Sequence, residues 1–242
     1  MATVVLLRHA RSTANGSGVL AGRSAGVELE PGGQQQAETL VERFAPVPLA
    51  GIVSSPLTRC RQTVAPLAGA RGLEPLIEAD LSEVDYGAWT GRELKALVKE
   101  PLWNVVQQHP SAAVFPDGEG LAAVQARAVA AVRAHDARIG AAHGDTAVWL
   151  LCSHGDVIKA ILADALGQHL DSFQRIVVDP ASVSVVRYTD TRPFVLRIND
   201  NGGELASIVP ARPEPGTAPG DATVGGSTGQ PHNEHPDTNR PK

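Results

Sequence analysis

Apolar runs end in charged or hydroxyl residues three times along this chain, and that repetition sets the architecture. Thr3 to Leu7, Ile52 to Ser54 and Ala147 to Cys152 are short, continuous apolar stretches of strand length. Between them lie helix-period segments over about Gly32 to Phe44, Leu57 to Ala68, Gly120 to Ala142 and Asp156 to Leu166. Strand and helix in alternation predict an α/β fold: a three-layer α/β/α sandwich around a mixed, mostly parallel sheet, with helices on both faces. Ser182 to Tyr188 and Phe194 to Ile198 alternate apolar with polar around a Thr-Asp-Thr-Arg-Pro turn, which predicts an antiparallel hairpin at a sheet edge.

The pattern breaks in two places. From Asp85 to Glu119 it loosens into short amphipathic pieces carrying Trp89, Lys95, Lys99, Trp103, His109 and Phe115, which predicts a small helical cap inserted at about 85–119. Within it Lys95, Lys99, Trp103 and Phe115 are candidates for substrate contact, and ordinary packing explains them equally. The second break is a tail over 209–242, rich in Pro, Gly, Thr and Asn. With almost nothing apolar to bury it is expected to be disordered, leaving one domain over 1–208.

Composition narrows the function. The 242 residues are 43% hydrophobic, enough for a sizeable core, and their net charge of -5 lacks the positive excess of a nucleic-acid surface. No signal peptide or bilayer-length apolar run is evident, so a cytoplasmic protein with no membrane partner is expected. Cys60 and Cys152 form no CxxC motif and are expected as buried thiols, not as a disulfide framework or zinc site.

The chemistry sits where strands end, which is where open α/β sheets bind ligands. Arg8-His9 closes the first strand and leads into Ala10-Arg11-Ser12-Thr13-Ala14-Asn15, a loop dense in donors for an oxyanion. Ser54-Ser55-Pro56 closes the second and starts a helix whose first turn carries Arg59, a full charge beside exposed amides that favour anions. Ser153-His154-Gly155-Asp156 closes a third strand in the manner of His9. There a cationic imidazole beside a phosphate would stabilise transferring charge. Leu81 to Gly91 supplies carboxylates: Glu83 is the candidate proton donor to a leaving oxygen, with Asp85 in reserve. Taken singly, each motif is as well explained by packing or by a turn at the surface. An imidazole that can be a nucleophile beside guanidiniums that grip phosphate points to phosphoryl transfer.

Together these motifs resemble the histidine phosphatase superfamily, the phosphoglycerate mutase-like family. The family's Arg-His-Gly appears as Arg8-His9-Ala10, its Ser-x-x-x-Arg-x-x-x-Thr element resembles Ser55 to Thr63, and its acid-bearing segment resembles Leu81 to Gly87. Its second histidine motif is similar to Ser153-His154-Gly155, and Leu20 to Ala37 resembles the region after the first motif, so the likeness spans roughly 3–200. The resemblance implies that His9 is phosphorylated during turnover, with Arg8, Arg59 and His154 around the phosphoryl group. Glu83 would act as acid and then as base. Ser12, Asn15, Gly22, Gly155 and Arg11 are the further candidates for holding phosphate or substrate, a small phosphorylated metabolite. Neither metal nor cofactor enters this scheme, since arginines and histidine supply the positive charge.

Departures from the family pattern bear on the reaction. Ala10 replaces glycine, Arg11 stands where the mutases carry an acid, and Ala14 stands where they often carry an aromatic residue. Arg11 either meets a second anionic group or faces solvent. The short cap lacks the arginine pair of the glycolytic mutases, which favours a phosphatase over a phosphomutase. Two other classes fit the residues less well: a silent phosphate-binding module, which needs neither nucleophile nor acid, and a metal hydrolase using His9, Glu83, His154 and Asp156, whose cation the arginines would repel. An exposed strand edge would make a homodimer unsurprising.

Overall fold

The computed structural model describes residues 1–203; the expected disordered tail over 209–242, and the domain end at 208, lie outside them. In chain order the elements are β1 (Thr3–Arg8), α1 (Thr13–Ser17), α2 (Pro31–Arg43), β2 (Leu49–Ser54), α3 (Thr58–Arg71), β3 (Leu76–Ile77), α4 (Leu94–Leu97), α5 (Pro101–Gln108), α6 (Leu121–His143), β4 (Val148–Ser153), α7 (Gly155–Ala165), β5 (Val183–Arg187) and β6 (Phe194–Asp200). Among the described residues no helix is long and apolar enough to cross a membrane.

The strands form one sheet in the order β3-β2-β4-β1-β5-β6. The pairs β1–β4, β2–β4 and β2–β3 are parallel, and the hairpin side, β1–β5 and β5–β6, is antiparallel. Side chains alternate across the pleat, so the continuous apolar strands divide between two cores. Val4, Leu6, Trp149 and Leu151 pack on one face with α6 and α7 residues such as Val132, Ile158 and Ile161. Val5, Leu7, Leu150 and Cys152 pack on the other with Leu40 of α2 and Val64 and Leu67 of α3. The predicted three-layer sandwich is therefore the observed one.

Register carries this fold to its chemistry. In the β1–β4 pair Arg8 lies opposite Ser153, and in the β2–β4 pair Ser54 lies opposite Cys152, so three parallel strands stop at one level. His9 N–H donates to the Ser153 carbonyl (2.9 Å) and Ser55 N–H to the Cys152 carbonyl (3.0 Å), extending the ladder one residue beyond the sheet. His9, Ser55 and His154 thus leave the sheet edge side by side.

The segment over 85–119 folds into short helices, but its aromatic residues do not face a substrate. Trp89 stacks on Trp103 (centroids 6.2 Å) and meets Phe115 edge-on (5.4 Å), and Phe115 meets Tyr86 in the same way (4.9 Å). All four are buried in the core shared with α6 and α7. Trp103 and Phe115 are therefore packing residues, because an aromatic side chain gains more from burial here than a mouth position offers. Lys95 is exposed and pairs with Glu93, and Lys99 is exposed.

Candidate active site

His9 is 4% exposed and His154 is fully buried, with ring centroids 5.2 Å apart. His9 Nδ1–H donates to the Ala10 carbonyl at 2.8 Å, which leaves the Nε2 lone pair facing Arg59, whose Nε–H donates to it at 3.2 Å. Arg59 Nη2 reaches His154 Nδ1 at 3.1 Å and the Gly22 carbonyl at 2.9 Å. His154 Nε2–H is then the donor to Ser55 Oγ, at 2.8 Å. One guanidinium therefore sets the tautomer of both imidazoles.

Local chain chemistry supplies these positions. His154 is the N-cap of α7 and Gly155 its first helical residue, so the helix begins at the pocket and its free amides point there. Gly22 has φ +51, and a Cβ would stand 2.9 Å from Thr90 Oγ1 and 3.1 Å from the Tyr86 ring, so this turn takes only glycine without strain. Ala10, the departure from the family's glycine, is accommodated: its methyl joins Leu29 and Ala37 in a small buried cluster, while its N–H donates to Thr63 Oγ1 (2.9 Å).

Charge in this buried pocket follows from its neighbours. Burial, then Arg59, hold the pKa of both histidines well below 6.5, with Arg8 acting in the same direction, so both rings are neutral near pH 7. Neutrality suits His9 as a nucleophile. For His154 the expected cationic form is one beside a phosphate; without that anion, burial and two guanidiniums oppose its protonation. Arg8 is fully buried and donates from Nη1 to the Val178 carbonyl (2.7 Å); burial lowers its pKa against the opposing pull of Glu83, Asp156 and Asp179. Glu83 has its pKa raised to about 7 by burial and by the Asp156 charge, against the pull of Arg59 and Arg8. Its Oε2 lies 4.0 Å from His154 Nδ1, and its Oε1 accepts the Val84 N–H (2.9 Å). Asp85 serves the local turn, accepting Gly87 N–H at 3.0 Å, so Glu83 is the carboxyl in the pocket.

The remaining candidates separate. Gly22 and Gly155 adjoin the pocket through backbone groups. Ser12 is buried as the N-cap of α1, and Asn15 Oδ1 accepts both Ser12 N–H (2.9 Å) and Ser12 Oγ–H (2.8 Å), so that pair shapes the loop after His9. Arg11 turns its Nε onto Glu30 Oε1 (2.5 Å), and its charge is met within the protein. Sequence reasoning missed the individual role of Ser55 on His154, and it missed Arg23, Glu119 and Arg127, which enclose the Glu83 loop through pairings across long sequence separations.

The Arg59 guanidinium lies between the two imidazoles, where it would oppose a divalent ion with like charge. The fold and this pocket define an α/β phosphatase with paired histidines at the carboxyl edge of a parallel sheet. The family model of the histidine phosphatase superfamily (branch 1) matches residues 4–201, and the chain belongs to that superfamily. Phosphoserine phosphatase 1 of Hydrogenobacter thermophilus is 30% identical over 205 residues, covering 82% of this chain and 92% of the relative. A bifunctional protein of Mycobacterium tuberculosis is 31% identical over 156 residues, 64% of this chain and 42% of that protein. Among solved structures, YhfR of Bacillus stearothermophilus superposes with a TM-score of 0.75 at 25% identity, covering 84% of this chain and 98% of that one. A mycobacterial glucosyl-3-phosphoglycerate phosphatase bound to VO3 gives 0.73 at 23% identity, covering 82% and 98%, a likeness of fold.

Proposed function

We propose that the protein hydrolyses a small phosphomonoester, without a metal, through a phosphohistidine on His9. The observation that carries this reading is the hydrogen bond from His9 Nδ1–H to the Ala10 carbonyl, which leaves Nε2 unprotonated and facing Arg59. In the first step the Nε2 lone pair attacks phosphorus, the ester P–O bond breaks, and Glu83 gives its proton to the departing oxygen. In the second, Glu83 takes a proton from water, the water oxygen attacks phosphorus, the N–P bond breaks and inorganic phosphate leaves. Arg8 and Arg59 offset the charge on the equatorial oxygens throughout, and His154 is the third group on the phosphoryl side. Ser12, Asn15, Gly22 and Gly155 belong to this reading as the loop and backbone groups that shape the phosphate subsite. The relatives named for phosphoserine and for glucosyl-3-phosphoglycerate support small phosphorylated metabolites as the substrate class.

The test is a metabolite panel assayed without added metal, combined with rapid quench. Inorganic phosphate should form, and quenched enzyme should carry an acid-labile, base-stable phosphoryl group. His9→Ala should lose both while keeping its melting temperature; a variant that still turns over at near wild-type rate overturns the nucleophile assignment.

A further inference from the structure

Glu83 donates or accepts a proton only if its carboxyl is held at one place, and its side chain makes few bonds that would hold it. The backbone around it is held instead. Arg23 Nε–H donates to the Glu83 carbonyl at 2.8 Å, and Arg127 Nη2–H donates to the same oxygen at 3.3 Å. Both guanidiniums also converge on one carboxylate: Arg23 Nη2 lies 2.8 Å from Glu119 Oε2, and Arg127 takes Glu119 in a fork, Nε to Oε1 and Nη2 to Oε2, each 3.0 Å. Glu119 Oε2 further accepts Asp85 N–H (3.0 Å), while Glu119 N–H donates to the Asp85 carbonyl (2.8 Å). Arg127 Nη1 donates to the Asp80 carbonyl (2.5 Å), fixing the approach to the loop.

The geometry points to Glu119 as a positioning residue for the general acid, holding Asp85 N–H itself and clamping the Glu83 carbonyl through Arg127 and Arg23. The pairing of Glu119 with two guanidiniums and a backbone amide is worth more as geometry than as charge, since a bidentate fork fixes orientation as well as distance. Arg23 follows Gly22, whose carbonyl holds Arg59, so one short segment positions both the phosphate-side cation and the acid. This inference rests on the phosphatase reading above, in which Glu83 protonates the leaving oxygen.

Its consequence appears in substrates that need that proton. Glu119→Ala should lower kcat/KM for an alkyl phosphomonoester such as O-phosphoserine by about 100-fold, the loss a displacement of roughly 1 Å brings. For p-nitrophenyl phosphate, whose leaving group departs as the anion, the loss should stay under about 3-fold. Glu119→Gln, which keeps an acceptor for Asp85 N–H, should recover most of the alkyl activity. In a Glu83→Gln background Glu119→Ala should leave the alkyl-to-aryl ratio unchanged, because the group it positions is gone. Equal losses on both substrates, or an undiminished effect on the ratio in the Glu83→Gln background, overturn the proposal. If Glu119→Ala does not fold, Arg23→Ala, which removes only the half-exposed arm, is read by the same ratio. Wild-type enzyme that releases phosphate from neither substrate refutes the phosphatase reading itself, a result distinct from a selective loss, and the inference falls with it.

Discussion

Replacing Glu83 by glutamine separates the cost of the acid from its use. Burial beside Asp156 raises this carboxyl from 4.5 to about 7, and at about 1.4 kcal/mol per pH unit that difference is roughly 3 kcal/mol. The sign follows from linkage. Below pH 4.5 the carboxyl is protonated folded or unfolded and costs nothing; between pH 4.5 and 7 the unfolded chain releases the proton while the folded one keeps it, so native stability falls; above pH 7 the penalty is constant. Glutamine does not titrate. The melting temperature of Glu83→Gln relative to wild type should therefore rise across pH 4.5–7 and level off above it. At roughly 2–4 °C per kcal/mol for a domain of this size, the plateau is about 6–12 °C. The same variant should lose about 100-fold or more in kcat/KM on alkyl phosphates and far less on aryl phosphates. A melting difference that is flat from pH 4.5 to 8 would refute the reasoning, since it would mean that the folded carboxyl ionises as it does in the unfolded chain.

Three further outcomes follow from the same pocket. The basic limb of kcat/KM should fall near pH 7, where free enzyme loses the Glu83 proton, and Asp156→Asn should move that limb to lower pH by removing the like charge; a pH–rate series on both enzymes checks it, and an unmoved limb counts against the coupling. Arg59→Met should cost about 100-fold in kcat/KM and let His9 titrate at higher pH, because Arg59 is the larger of the two arginine effects holding that imidazole down; NMR titration of the ring reads the direction. Gly33→Ala would bring a Cβ to 1.9 Å from the Arg11 carbonyl, where α2 meets the loop after His9, and should destabilise by about 1–3 kcal/mol in a denaturant melt.

How much of this was legible beforehand depended on range in the sequence. Continuous apolar runs made β1 and β4 visible, and the 3.6-residue period made α2, α3, α6 and α7 visible to within a few residues. β3 escaped because it is two residues long with both side chains exposed, and β2 begins at Leu49, three residues earlier than its apolar run suggests. α1, with the sequence Thr-Ala-Asn-Gly-Ser, has no apolar period at all. Motif spacing identified His9, Arg59, Glu83 and His154, yet their convergence is a property of strand register, which no local pattern encodes. For Trp103 and Phe115 the sequence left substrate contact and packing equally open, and tertiary packing takes both into the core. Glu119 was equally hidden, since a carboxylate at the end of a loop resembles any solvated acid until its partners at 23, 85 and 127 are assembled.

The two arginines have opposite effects on the two groups that the first step of the proposed cycle needs, and burial reconciles them. Guanidiniums beside His9 keep it neutral and nucleophilic, but they also favour ionised carboxyls and so work against a protonated Glu83. Burial resolves the conflict because it disfavours charge on imidazole and carboxyl alike, lowering one pKa and raising the other. Asp156, itself buried and bonded by Tyr86 Oη at 2.8 Å, adds a negative field on the acid side. An incoming phosphate dianion would push in the same direction on Glu83 while meeting the positive charge of Arg8 and Arg59. The proton is thus kept where the leaving oxygen needs it until the ester bond breaks. Once the leaving group has departed, the same carboxylate is positioned to activate water, so one buried group with a pKa near neutrality serves both half-reactions.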